Sequence, residues 1–143
     1  MEKFIVIENI AFEPFWNDLL EKALELADLF SVVYPDGEYD DENPLLSGKL
    51  EVYLLPNLQS EPWSSMKHAS VYSGELTEQA KAFIRKYMLQ TPDKTTDNLW
   101  NFSLFKNDVE LLNLQDFDVC LIGAKTDLTA YFLKKDSNRS ENI

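Results

Sequence analysis

Hydrophobic positions change their spacing several times along this chain, and each change marks an element. Phe4, Ile5, Val6 and Ile7 form a short unbroken apolar run within residues 3–8, the pattern of a buried strand. Over residues 14–30 the spacing becomes helical: Phe15, Leu19, Ala23, Leu26 and Phe30 recur on one side. Pro14 suits the first turn of that helix, and Glu13 lies beside its positive end. Another side of the same helix carries Asp18, Glu21, Glu25 and Asp28 at helical offsets, a stripe of four carboxylates relieved mainly by Lys22. Ser31-Val32-Val33-Tyr34 reads as a short strand closed by the turn Pro35-Asp36-Gly37, and residues 36–47 follow as a polar, acidic loop.

Partial alternation with Val52, Tyr53 and Leu54 predicts a strand over residues 49–55, ended by Pro56, and a further short strand is expected at residues 69–72. A second helix is expected over residues 75–89, with Leu76, Ala80, Phe83, Ile84 and Tyr87 on its buried side. Its other side bears Lys81, Arg85 and Lys86, the main cationic cluster of the chain. After a turn-rich stretch at residues 91–97, strands are expected at 99–105, 109–114, 117–123 and 128–133 as a C-terminal antiparallel meander. Lys106-Asn107-Asp108 supplies a tight turn between the first two of these strands. The expected class is therefore α+β: a mostly antiparallel sheet with two main helices packed on it, in one domain over residues 1–136, followed by a frayed polar tail at 137–143.

Composition supports a packed interior. The 143 residues are 45% hydrophobic and 13% aromatic, too rich in large apolar groups for a disordered chain. Neither a basic, apolar leader nor a run long enough to span a membrane is present in the sequence, so a cytoplasmic location is expected. The single cysteine, Cys120, has no partner for an internal disulfide, which agrees with a reducing compartment.

Charge changes the picture more. Twenty-five acidic against 13 basic residues give a net charge of −12, which disfavours nucleic acid and anionic lipid as partners. The first 74 residues hold 14 acidic and four basic side chains, a net of −10, while the remainder hold 11 and nine, a net of −2. The field belongs to the N-terminal half.

Chemistry is mostly excluded. Cys120 lies in the apolar run Val119-Cys120-Leu121, where a cysteine is an inert core residue, and the one histidine, His68, is its sole partner for a Cys-His pair. One cysteine and one histidine do not make a structural zinc site. The run Asp36-Gly37-Glu38-Tyr39-Asp40-Asp41-Glu42 is rich in oxygen ligands, but its glycine directly follows the first acid, which does not fit a calcium loop. Gly37, Gly48, Gly74 and Gly123 are scattered, so neither a phosphate-binding loop nor a dinucleotide fingerprint is formed. With 25 carboxylates a hydrolytic pair could arise in space, though nothing in the sequence singles one out. No cofactor or metal is expected, and the chain is expected to be a monomer or weak dimer.

What remains is binding. The acidic loop Asp36, Glu38, Tyr39, Asp40, Asp41 and Glu42 and the helix stripe Asp18, Glu21, Glu25 and Asp28 are candidate contacts for a basic protein, with Trp63 in Glu61-Pro62-Trp63-Ser64 as an aromatic anchor. Trp63 also has the alternative of folding back over the sheet. In size, acidity, α+β layout and lack of a catalytic motif the chain resembles the bacterial immunity proteins of polymorphic toxin systems. That resemblance implies inhibition by occlusion, with carboxylates facing the basic active site of a toxin or nuclease domain. A different regulatory or structural binding module, or a carboxylate-based hydrolase, is the alternative.

Overall fold

The computed structural model describes residues 4–37 and 43–141, with side chains described for 5–37 and 43–134. Seven strands form one antiparallel sheet in the order β1-β7-β6-β5-β2-β4-β3. They are β1 (Phe4–Ile7), β2 (Leu29–Pro35), β3 (Gln59–Pro62), β4 (Ala69–Glu75), β5 (Asn101–Lys106), β6 (Val109–Gln115) and β7 (Val119–Gly123). The helices are α1 (Trp16–Leu26), α2 (Lys49–Val52), α3 (Glu78–Met88) and α4 (Asp127–Glu141). The expected α+β class with an antiparallel sheet is what the chain adopts.

Period-two alternation sorts each strand onto two faces. Phe30, Val32 and Tyr34 of β2 share one face with Phe102 and Leu104 of β5, Leu112 and Leu114 of β6, and Cys120 and Ile122 of β7. Against it α1 packs Trp16, Leu19, Leu20, Ala23 and Leu24, and α3 packs Ala80, Phe83, Ile84, Tyr87 and Met88. The two helices are tied together at their ends, where the Trp16 indole N–H donates to the Met88 carbonyl at 2.8 Å and the Asn17 and Gln90 groups bond reciprocally. Large aromatic and aliphatic side chains removed from water in this layer supply the main driving force for the fold.

Several expectations are corrected. The first helix stops at Leu26, because Ala27 turns to extended backbone and Phe30 enters the sheet through β2. The buried stripe of α1 runs through Trp16, Leu20 and Leu24 as well as Leu19 and Ala23, while Phe15 and Leu26 are only half-buried. Residues 49–55 are a helical turn instead of a strand. Residues 128–133 lie in α4, so the C-terminal meander has three strands, β5 to β7. Thr126 caps α4 by accepting the Thr129 N–H at 3.2 Å, and Leu128 and Phe132, four residues apart, face the core. The helix backbone continues through 137–141, where a frayed tail is expected from the sequence. The run Phe4–Ile7 is an edge strand that leaves Val6 exposed, not a fully buried one. The Asn107-Asp108 turn does join β5 to β6, with both residues at positive φ as a tight hairpin requires.

Candidate functional sites

Cys120 and His68 sit far apart. Cys120 is fully buried in β7, and burial pushes its thiol well above the ordinary range. His68 is exposed in the turn before β4, with three strands between β4 and β7, a span of roughly 19 Å at the usual strand spacing. A thiolate-imidazole pair is therefore not assembled. Among the described residues no group of three His, Cys, Asp or Glu side chains is placed to hold a metal ion, and no helix is long and apolar enough to cross a membrane.

The acidic stripe of α1 is only partly brought together. Asp18, Glu21 and Glu25 line a groove of about 450 Å³ between α1 and α3, but Lys22, Lys81 and Arg85 line it too. Glu21 Oε1 accepts from Arg85 at 2.7 Å, Glu25 pairs with Lys22 at 3.3 Å, and Glu78 pairs with Lys81 at 3.6 Å. Of the stripe, Glu21 is thus countered by Arg85, from a helix some 60 residues later in the sequence, and Glu25 by Lys22 of α1 itself. Asp28 lies past the helix end and has a local task. Its Oδ2 accepts the Asn107 backbone N–H at 3.2 Å, with Lys106 at 4.0 Å, and its backbone bonds to Phe105 and Leu76.

Asp36 is described, whereas Glu38, Tyr39, Asp40, Asp41 and Glu42 lie outside the described residues. The Asp36 carboxylate accepts from Ser70 Oγ at 2.7 Å, and its charge adds to the effects that hold the nearby Tyr72 hydroxyl up at about 12, burial being the largest of them. Tyr72 Oη lies 3.2 Å from Tyr53 Oη, and the two rings meet edge to face at 5.5 Å.

Tyr53 belongs to a surface that the sequence reading misses. Gly48, at φ +82°, starts α2, and Val52 anchors it in the core. Leu50, Tyr53 and Leu54 then fall at helical offsets on the opposite side and are 77%, 48% and 81% exposed. The seat is firm: Tyr34 Oη donates to the Ser47 carbonyl at 2.8 Å, Ser47 Oγ to the Asp97 carbonyl at 2.9 Å, and Lys49 Nζ to the Pro35 carbonyl at 3.3 Å. Glu51 accepts from Lys86 Nζ at 2.7 Å and from the Tyr87 hydroxyl. Partial burial works to raise the Glu51 acid, but these hydrogen bonds and the Lys86 charge outweigh it and hold the group below its ordinary value. Such a carboxylate stays ionised, which suits an anchor and not a general acid. The signal for this ridge was present as the spacing of Leu50, Tyr53 and Leu54, which fits a helical turn better than alternation.

Trp63 takes neither a fully exposed nor a core position. It is half-buried at the end of β3, packed edge to face on Trp100 at 5.6 Å, beside Val33, Ala69 and Val71. It also walls a groove of about 520 Å³ on the sheet face opposite the main core. Comparison with protein-family models, curated proteins and solved structures returned no match to this chain, so function is argued from these residues alone.

Proposed function

We propose that this chain is an acidic binding protein that docks a basic partner protein on the α2 ridge, with Asp36 and the acidic stretch that precedes the ridge in sequence supplying the favourable charge. In the immunity-protein reading the partner is a toxin domain whose active site is occluded. One observation carries the proposal: three large apolar side chains, Leu50, Tyr53 and Leu54, stand exposed on one side of a well-seated turn. Clusters of this kind rimmed by charge are characteristic of protein-protein contacts. Five carboxylates in residues 36–42 precede the ridge directly in sequence, and Asp36 lies within electrostatic reach of the Tyr53–Tyr72 pair. Of the cations nearby, Lys86 is paired with Glu51, while Lys49 donates to the neutral Pro35 carbonyl and keeps its charge, so carboxylates still outnumber cations there. Charge complementarity therefore favours a basic surface, with carboxylates speeding encounter and the apolar ridge slowing release.

The test uses a Leu50→Ser/Leu54→Ser double variant. A protein captured by the parent chain is expected to be basic, to associate more slowly at high salt, and to be lost by the variant while circular dichroism is unchanged. Co-expression of the parent chain, but not of the variant, is expected to relieve any growth arrest that the captured protein causes. Capture that persists in the double variant would remove α2 from the interface and with it this reading.

A further inference from the structure

The groove opposite the main core is built from a row of small polar side chains that runs straight across the sheet. Cross-strand pairing places Asn113 of β6 opposite Ser103 of β5, Ser103 opposite Ser31 of β2, and Ser31 opposite Ser73 of β4. A hydrophobic core would place Val or Ile on such a row. The amides are organised: Asn113 Nδ2 donates to Ser103 Oγ at 2.8 Å and to the Phe102 carbonyl, and Gln115 Nε2 donates to Asn113 Oδ1 at 2.8 Å. Asn101, also in the lining, is only 5% exposed. Its Oδ1 accepts the Asp116 N–H at 3.3 Å, but its Nδ2 has no hydrogen-bond partner among the described residues. A buried donor left unpaired is costly, and an acceptor that reaches it recovers that cost.

The donor and acceptor inventory narrows the ligand. Glu110 and Asp116 belong to the lining, and no Lys, Arg or His does among the described residues, so an anion meets repulsion. A lysine or arginine side chain satisfies carboxylates but carries no acceptor for Asn101 Nδ2. An extended peptide gains affinity by pairing with a free sheet edge, whereas β2 and β5, the floor of this groove, are each paired on both sides. Hydroxyl groups both donate and accept, and Trp63 and Phe105 offer ring surface to the apolar C–H face of a sugar. A volume of about 520 Å³ lies within the range of small-molecule sites.

We infer that this groove is a binding site for a neutral polyhydroxylated small molecule, a short saccharide, held by the Ser31-Ser103-Asn113 row, Asn101 and Gln115 against Trp63. The Asn101 nitrogen is closed to water in this structure, so the ligand reaches it with a small shift of the wall, of the side-chain kind common on binding. The site is separate from the α2 ridge and does not depend on it.

Titration of the full chain with maltose, cellobiose, lactose and chitobiose, followed by tryptophan fluorescence and calorimetry, tests the inference. At least one sugar is expected to saturate, with Trp63→Ala and Gln115→Ala each weakening binding about tenfold or more. Gln115 is exposed, so its variant keeps the test intact if Trp63→Ala fails to fold. The Leu50→Ser/Leu54→Ser variant is expected to bind the sugar unchanged, which separates this site from the docking surface. No saturation by any of the four at about 50 mM, far above the ~1 mM scale of weak sites, would overturn the proposal. So would sugar binding that survives both groove variants, or saturation by arginine amide in place of the sugars.

Discussion

The outer side of α1 and the surface of α2 belong to the same helical layer, yet folding treats them in opposite ways. On α1 a stripe that is strongly acidic in sequence is partly neutralised, Glu25 by Lys22 of the same helix and Glu21 by Arg85 of α3, beside a Glu78–Lys81 pair within α3. On α2 a stretch that reads as an ordinary strand becomes a turn that presents Leu50, Tyr53 and Leu54 to water. Charge counted along the chain therefore overstates the field of α1, while the apolar surface that most needs a partner is hidden in a misread element. The two regions also differ in what holds them: carboxylate-cation pairs on one side, and on the other buried tyrosines around Glu51.

That difference predicts distinct responses, and the largest is to alkali. Burial is the main reason that Tyr34, Tyr72 and Tyr87, beneath and beside α2, and Cys120 in the core all have their acid groups raised. Each binds its proton more tightly folded than unfolded, so its contribution is fully present below the unfolded value and is lost as pH rises above it. Stability is expected to be flat to about pH 8.5, where an ordinary thiol begins to ionise, and to fall steeply from about pH 10, the ordinary tyrosine value. Denaturant midpoints measured from pH 7 to 12 check this, and a flat profile would show that the tyrosine cluster does not hold the α2 side.

Next in size is Gly48→Ala. Its φ of +82° disfavours any side chain, and the added Cβ would lie 2.7 Å from a ring carbon of the core residue Phe83. Strain and crowding together are expected to cost about 3 kcal/mol, or roughly 10 °C in Tm, and to weaken partner capture with it. Asp28→Ala should cost about 1 kcal/mol, because the Asn107 N–H loses its acceptor and Lys106 its counter-charge. Chemical denaturation measures both. Smallest is Glu21→Gln, which removes an exposed pair with Arg85 and should change stability by less than about 1 kcal/mol, less still in high salt. A larger loss there would mean that the Glu21–Arg85 link between α1 and α3 is structural, and the contrast between the two surfaces would need redrawing.

How far the chain was legible follows from the kind of signal each part carries. The hairpins of β5, β6 and β7 stand out because short runs rich in strand formers are separated by turn residues, with Asn107-Asp108 marking the first turn. Helix α3 was found to within three residues at its start, since Thr77 accepts the Ala80 N–H and stops the helix from extending back to Glu75. Strand β3, Gln59–Pro62, has four exposed residues and so leaves no hydrophobic pattern at all. Helix α4 was mistaken for a strand because Thr129, Tyr131 and Phe132 are good strand formers, while the weaker evidence of the Thr126 cap and the Leu128–Phe132 spacing pointed to helix. Trp63 stands out in the sequence as a tryptophan among polar residues, but its packing on Trp100 and the polar row beside it depend on strand pairing that no local pattern encodes.

The pairing of β1 with β7 sets the order in which the sheet can be finished during synthesis. Phe4 faces Gly123 and Ile7 faces Cys120, so β1 is made well over 100 residues before the strand that, among the described residues, it pairs with. At typical elongation rates that is a wait on the order of ten seconds, during which Ile5, Val6 and Ile7 lie without a hydrogen-bonding neighbour in the emerging chain. The centre of the sheet faces no such delay, since β2 can zip onto β4 as soon as residues 69–75 are available. Nascent chains arrested before residue 119 should therefore hold a formed centre and an unpaired, sticky β1, the segment for which a chaperone would compete.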